Sequence, residues 1–141
     1  MMAPDASAHD PLVTFVTTDY AGITRGRSIA ASAYRPDSGK TLGWVPANMS
    51  LTPFDLIADP NPWGSAGDLR LRPDAAARYR LHPEGSATEL DMVMSDIVEL
   101  DGSPWVCCPR QFLKAALADL EREAGVSLVA TFEHEFQILD A

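Results

Sequence analysis

The sequence predicts an α+β fold on three observations. Extended, β-branched or alternating segments recur up to Glu99, a single amphipathic helix follows from Pro109, and a second β-rich run comes after that helix. Strand, strand, helix, strand in that order implies an α+β arrangement.

The elements follow in chain order. Leu12 to Thr18 is rich in β-branched and aromatic residues and runs into Asp19-Tyr20-Ala21-Gly22, a turn-forming cluster; Ile23 to Ala33 then returns as a second strand, giving a β-hairpin. Between Pro46 and Gly67, the residues Pro46, Pro53, Pro60, Pro62, Gly64 and Gly67 deny backbone donors to a helix or a central strand. The spacing predicts a long loop. Loops beyond ~12 to 15 residues in a compact domain are uncommon and often functional, so this one is either a contact to a ligand or neighbouring subunit or a linker.

Asp68 to Asp74 alternates polar and apolar residues before stopping at Pro73-Asp74, which predicts a short strand with Arg70 and Arg72 on its outer face. Glu89 to Glu99 reads as extended, and Asp101-Gly102 signals a second hairpin returning through Trp105-Val106-Cys107. The helix opens at Pro109, where a missing amide proton is harmless, carries Phe112, Leu113, Ala116, Leu117, Leu120 and Ala124 on one face, and ends at Gly125. From Val126 to Ala130, and on through Phe132, Phe136 and Ile138, the composition returns to strand.

Composition narrows the function classes. A chain of 141 residues with 46% hydrophobic content can form one domain with a core, or a small domain and the opening of another. The net charge of -9 argues against a nucleic-acid partner, which needs clustered Lys and Arg. No stretch approaches the ~18 to 20 apolar residues that cross a bilayer, and Met1 to Asp10 lacks a basic segment followed by an apolar run, so a cytoplasmic location with no membrane partner is expected. Cys107 and Cys108 are adjacent, a poor geometry for a mutual disulfide, and are read as reduced thiols.

One stretch carries candidate chemistry. On a strand, Glu133, Glu135 and Gln137 project from one face of Thr131 to Leu139, with the two carboxylates ~7 Å apart, while Phe132, His134, Phe136 and Ile138 project from the other. Hard divalent cations such as Mg²⁺ and Mn²⁺ prefer oxygen ligands, so the pair is a candidate metal site. Spacing alone favours a half-buried strand with its charged face in water, since the pattern has no further ligand in sight. His134, between phenylalanines, reads as a core histidine. Zinc spacings, a Gly-Lys-Ser/Thr phosphate loop and a nucleophile elbow are absent from the sequence.

Four stretches in order resemble the glutamine synthetase family: Asp19-Tyr20-Ala21-Gly22-Ile23-Thr24-Arg25-Gly26-Arg27; Gly67-Asp68-Leu69-Arg70-Leu71-Arg72-Pro73-Asp74; Asp101-Gly102-Ser103-Pro104 continuing to Pro109-Arg110; and Glu133-His134-Glu135-Phe136. The resemblance covers nearly the whole chain. It implies a small β-grasp-like amino-terminal domain over residues 1–104 and, over 105–141, the incomplete beginning of a catalytic domain. It further implies an ATP-dependent ligase that phosphorylates the side-chain carboxylate of glutamate and joins ammonia or an amine to it through a γ-glutamyl phosphate intermediate. In that chemistry two divalent ions, Mg²⁺ or Mn²⁺, offset the charge gathered at the phosphates. Glu133 matches the ligand of the ion beside ATP, and Glu135 a ligand of the ion nearer glutamate.

Two departures from the best-known bacterial pattern bear on specificity. Thr131-Phe132 and His134 stand where that pattern has Gly-Pro and a proline, which changes the surroundings of the acidic pair. The loop from Asn48 to Gly67 lacks an Asp-Gly-Ser-Ser segment that helps bind ammonium at the neighbouring subunit's site, and Asp55 is the positional candidate to replace it. Both departures resemble the branch that includes γ-glutamyl-amine ligases. The resemblance implies a homo-oligomer for the full-length protein and no activity for these residues alone. The alternative function, from another class, is a noncatalytic binding or assembly module derived from the same family.

Overall fold

The computed structural model of the chain describes residues 11–84 and 89–139. Five strands form one mixed sheet: β1 (Leu12–Thr18), β2 (Thr24–Ala30), β3 (Leu42–Trp44), β4 (Leu69–Leu81) and β5 (Leu90–Val98), in the spatial order β2-β1-β5-β4-β3. One helix, α1 (Pro109–Ala124), follows, so the α+β class holds.

The predicted first hairpin forms, with Leu12 opposite Ala30 and Thr18 opposite Thr24. Its turn is closed by the Asp19 amide donating to the Ile23 carbonyl at 3.0 Å and by Gly22 at φ 80°, a left-handed value that costs glycine little. β1 lies in the sheet interior, antiparallel to β2 and parallel to β5, and its alternation sends Val13, Phe15 and Thr17 into the protein. β5 is buried at Val93, Ser95, Ile97 and Val98, as a strand paired on both sides should be.

In β4, Leu69 and Leu71 are buried while Arg70 and Arg72 lie outward, as alternation predicts. The strand does not stop at Pro73. Its pairing with β5 slips between Pro73 and Arg78 and then resumes to Leu81, because a bulge absorbs the proline's missing donor. β3 has only three residues and no alternating run long enough to announce it; it exists because β4 offers a paired edge opposite Leu42 to Trp44.

The second hairpin is reduced to a turn. Glu99 donates to Ser103 O and Val98 bridges Pro104, but Trp105-Val106-Cys107 forms no strand; Trp105 and Cys108 instead turn into the core. That core joins Phe15, Tyr34, Trp44, Met49, Leu71 and Ile97, with the Tyr34 ring edge-on to Phe15 and the Arg78 guanidinium 4.9 Å from its centroid. Both cysteines are free.

α1 has the predicted limits, with Pro109 in its first turn and Gly125 at φ 65° donating to Glu121 O. Its apolar face is not buried: Phe112, Leu113, Leu117 and Leu120 are exposed. The predicted strand after it is absent, since 126–139 is irregular and exposed throughout. A strand needs a hydrogen-bonding neighbour, and no described strand lies alongside this segment. The core assignment of His134 is corrected with it, because His134 is exposed. No helix of the described residues is long and apolar enough to cross a membrane.

Candidate functional site

The long loop is more ordered than its prolines suggest. Pro46–Ser50 winds into a 3-10 turn that buries Pro46, Ala47 and Met49. Thr52 N then donates to Leu56 O at 2.7 Å, Asp55 N to Thr52 O at 3.0 Å, and Leu51 bridges Ile57, so the chain doubles back on itself. Asp55 occupies the tip at φ 60°, a left-handed conformation that aspartate tolerates better than most residues. Farther along, Trp63 stacks on Tyr20 at 5.9 Å and meets Trp105 at 5.4 Å, while the Tyr20 hydroxyl donates to the Cys107 carbonyl. Those rings fasten the loop to the body of the domain.

Asp55 is 75% exposed, yet its carboxylate is held 2.6 Å from Nη1 of Arg25. Arg25 in turn donates through Nε to Asp19 at 2.5 Å, and Asp19 accepts the Ala21 and Ile23 amides at 2.9 Å each. Burial alone would raise the Asp19 carboxyl, but the hydrogen bonds from Arg25 and the two amides outweigh it and hold the group below the usual carboxylate range. The result is a relay, buried aspartate to arginine to exposed aspartate, that fixes the loop tip against the β1–β2 turn. Sequence reasoning misses Arg25 and Asp19 as partners of Asp55. Asp19-Tyr20-Ala21-Gly22 is a legible turn signal, but a contact between Arg25 and Asp55 across the fold leaves no local trace.

A second ionic group anchors α1. Arg110 reaches Asp74 and Asp96 at 2.6 Å each, and Lys114 reaches Asp96 at 2.9 Å and Asp74 at 3.2 Å. The hydrogen bond from Arg110 depresses the Asp74 carboxyl, aided by Lys114. Cys108 Sγ accepts the Ile97 amide at 3.2 Å at the foot of the helix. Between this helix and the sheet runs a cleft of about 660 Å³ whose walls include Thr17, Tyr79, Met94, Leu113 and Phe132.

Glu133 and Glu135 lie on the irregular segment beyond α1, both exposed. No three His, Cys, Asp or Glu side chains gather as a metal-holding group among the described residues. The structure brings neither glutamate to Asp55's relay.

Comparison with known proteins bears out the family resemblance. Residues 3–105 match the family described as the glutamine synthetase N-terminal domain. A protein solved as a novel glutamine synthase homolog superposes with a TM-score of 0.76 and 46% identity, over 87% of this chain and 29% of that one. The glutamine synthetase of Plasmodium falciparum, solved by cryo-EM, shares the fold at a TM-score of 0.56 and 16% identity, over 85% of this chain and 21% of its own. The chain thus spans less than a third of either structure's length. No curated protein matches it. With a mixed five-stranded sheet and a family match that covers most of its length, the chain belongs to the glutamine synthetase family, through that family's N-terminal domain.

Proposed function

We propose that this chain supplies the β-grasp-like amino-terminal domain, residues 1–104, and the opening of the catalytic domain, residues 105–141, of an ATP-dependent ligase. The reaction joins ammonia or an amine to the γ-carboxylate of glutamate through a γ-glutamyl phosphate. The observation that carries the reading is the family match over residues 3–105. Trp105 and Cys108 belong to the same buried core as Phe15 and Leu71, which supports a continuous connection across the proposed boundary.

Glu133 and Glu135 suit a hard cation by chemistry: they are exposed oxygen donors two residues apart, free of ion pairs among the described residues. They supply only two ligands, so the remaining ones come from outside the described residues. Bound Mg²⁺ or Mn²⁺ would offset the phosphate charge as the carboxylate attacks. In this reading 126–139 becomes a strand when neighbouring strands pair with it, which aims both carboxylates at one region. Asp55, presented on an exposed tip, is the candidate that reaches the neighbouring subunit's site in a homo-oligomer and meets the amine. The departures around the acidic pair and in the loop favour a γ-glutamyl-amine ligase over ammonium chemistry.

The test exchanges residues 1–141 into the homolog of 46% identity and measures glutamate-dependent phosphate release from ATP with Mg²⁺ or Mn²⁺. The ligase reading expects activity that Glu133→Gln or Glu135→Gln lowers by about 100-fold or more. The 141 residues alone are expected to be inactive. Activity that survives both substitutions would remove the metal role of the two glutamates, and an inactive exchange protein would leave the noncatalytic assembly module as the better account.

A further inference from the structure

We propose that the cleft between the two edge strands of the sheet is a binding site for an oxyanion, a carboxylate or phosphate group, for which Asp55 is the resident intramolecular competitor. β2 and β3 stand at opposite ends of the strand order, yet Arg27 on β2 donates through Nη1 to the Gly43 carbonyl on β3 at 2.9 Å. The sheet therefore curls until its edges face each other. A cleft of about 420 Å³ opens along this seam, lined by Thr24, Arg25, Arg27, Trp44, Asn48 and Leu51.

The lining offers donors and no carboxylate. In a chain with net charge -9, two guanidinium groups converge here. Arg27 forms no ion pair among the described residues, and its Nη1 donates to the neutral Gly43 carbonyl. Arg25 commits Nε to Asp19 and Nη1 to Asp55, but its Nη2 is buried without an acceptor, and the buried indole Nε1 of Trp44 lacks one too. Buried donors are almost always satisfied, and both of these unsatisfied ones belong to residues that line this cleft.

Asp55 covers the edge of Arg25 that such an acceptor needs. Its backbone is hydrogen-bonded within the turn, but its side chain is mostly exposed and is held on Arg25 by one ion pair. Displacing it frees Nη1 of Arg25 for a charge-assisted hydrogen bond to an oxyanion that Arg27 can share. Binding would release the Asp55 side chain from Arg25, which links occupancy of the cleft to the position of that carboxylate. The site is distinct from Glu133 and Glu135 and does not depend on the ligase reading.

The test titrates the 141-residue chain with inorganic phosphate and, separately, glutarate, following tryptophan fluorescence, with chloride at matched ionic strength as control. A saturable response to phosphate alone assigns a phosphoryl ligand, to glutarate alone a carboxylate, and to both a general oxyanion site. Arg27→Gln is expected to weaken binding by about tenfold or more, and Asp55→Asn to tighten it about three- to tenfold. Neither probe exceeding chloride overturns the proposal, as does wild-type affinity in a folded Arg27→Gln. Unchanged affinity in Asp55→Asn overturns the competitor role. If Arg27→Gln does not fold, Asp55→Asn decides alone, its side chain being exposed.

Discussion

Replacing Asp19 by alanine removes the hub of the β1–β2 turn, and the structure sets the scale of the damage. Asp19 is 4% exposed, and its carboxylate accepts three hydrogen bonds, two from amides at 2.9 Å and one from Arg25 at 2.5 Å. Asp19→Ala orphans the amides and leaves Arg25 only Asp55, which is exposed and therefore a weak substitute. Orphaned buried donors cost ~1 to 3 kcal/mol each, tempered here by water entering at an exposed turn, so a loss of ~3 to 5 kcal/mol is expected. With m near ~2 kcal/mol/M, the urea midpoint falls by ~1.5 to 2.5 M. Asp19→Asn keeps an oxygen for the amides but turns a donor toward Arg25, and its cost should be smaller, ~2 kcal/mol. The double variant with Arg25→Ala should show coupling of ~1.5 kcal/mol or more. A drop below ~1 kcal/mol for Asp19→Ala would refute the argument that this carboxylate organises the turn.

Acid should act through the same class of group. Asp74 is depressed by Arg110, Asp91 by Arg78, and Asp19 by hydrogen bonds that overcome its burial. Their folded values lie below the unfolded ~3.9, so their stabilisation is complete above that pH and is lost as pH falls toward the folded values; urea midpoints measured from neutral to acid should hold steady and then drop below pH ~4. Two glycines separate by what an added Cβ would meet. At Gly26 it lies 2.4 Å from the Phe15 carbonyl, so Gly26→Ala should cost ~2 to 3 kcal/mol or prevent folding; at Gly43 it meets only the movable Arg27 and Arg70 guanidinium ends at 3.2 Å, so Gly43→Ala should cost under ~1 kcal/mol in the same melts. Arg110→Gln should release α1, which buries no residue of its own, and raise amide exchange across Pro109–Ala124 while β1 and β5 stay protected.

The sequence makes the local elements legible and leaves the long-range ones silent. The first hairpin, β5 and both ends of α1 rest on signals carried by neighbouring residues: Asp19 to Gly22, alternation, Pro109 and Gly125. β3 has no such signal because three residues become a strand only when β4 lies beside them. The run 126–139 shows the converse, since strong β composition yields no strand where no neighbour pairs with it. α1 likewise has its predicted apolar face, but its described attachment is by Arg110 and Lys114 to aspartates. At the candidate site, Asp55 was visible as a position in a long loop, whereas its pairing with Arg25 depends on a fold that brings residues 30 apart together.

The central proposal is that Glu133 and Glu135 hold the cations of an amide-forming ligase to which this chain contributes the N-terminal domain and the opening of the catalytic domain. The direct measurement is the anomalous scattering of Mn²⁺ in crystals of the exchanged full-length protein with ATP. The account predicts manganese peaks ~2.0 to 2.3 Å from both carboxylates, on a segment now paired as a strand. Manganese bound at the nucleotide with neither carboxylate in coordinating distance would contradict it.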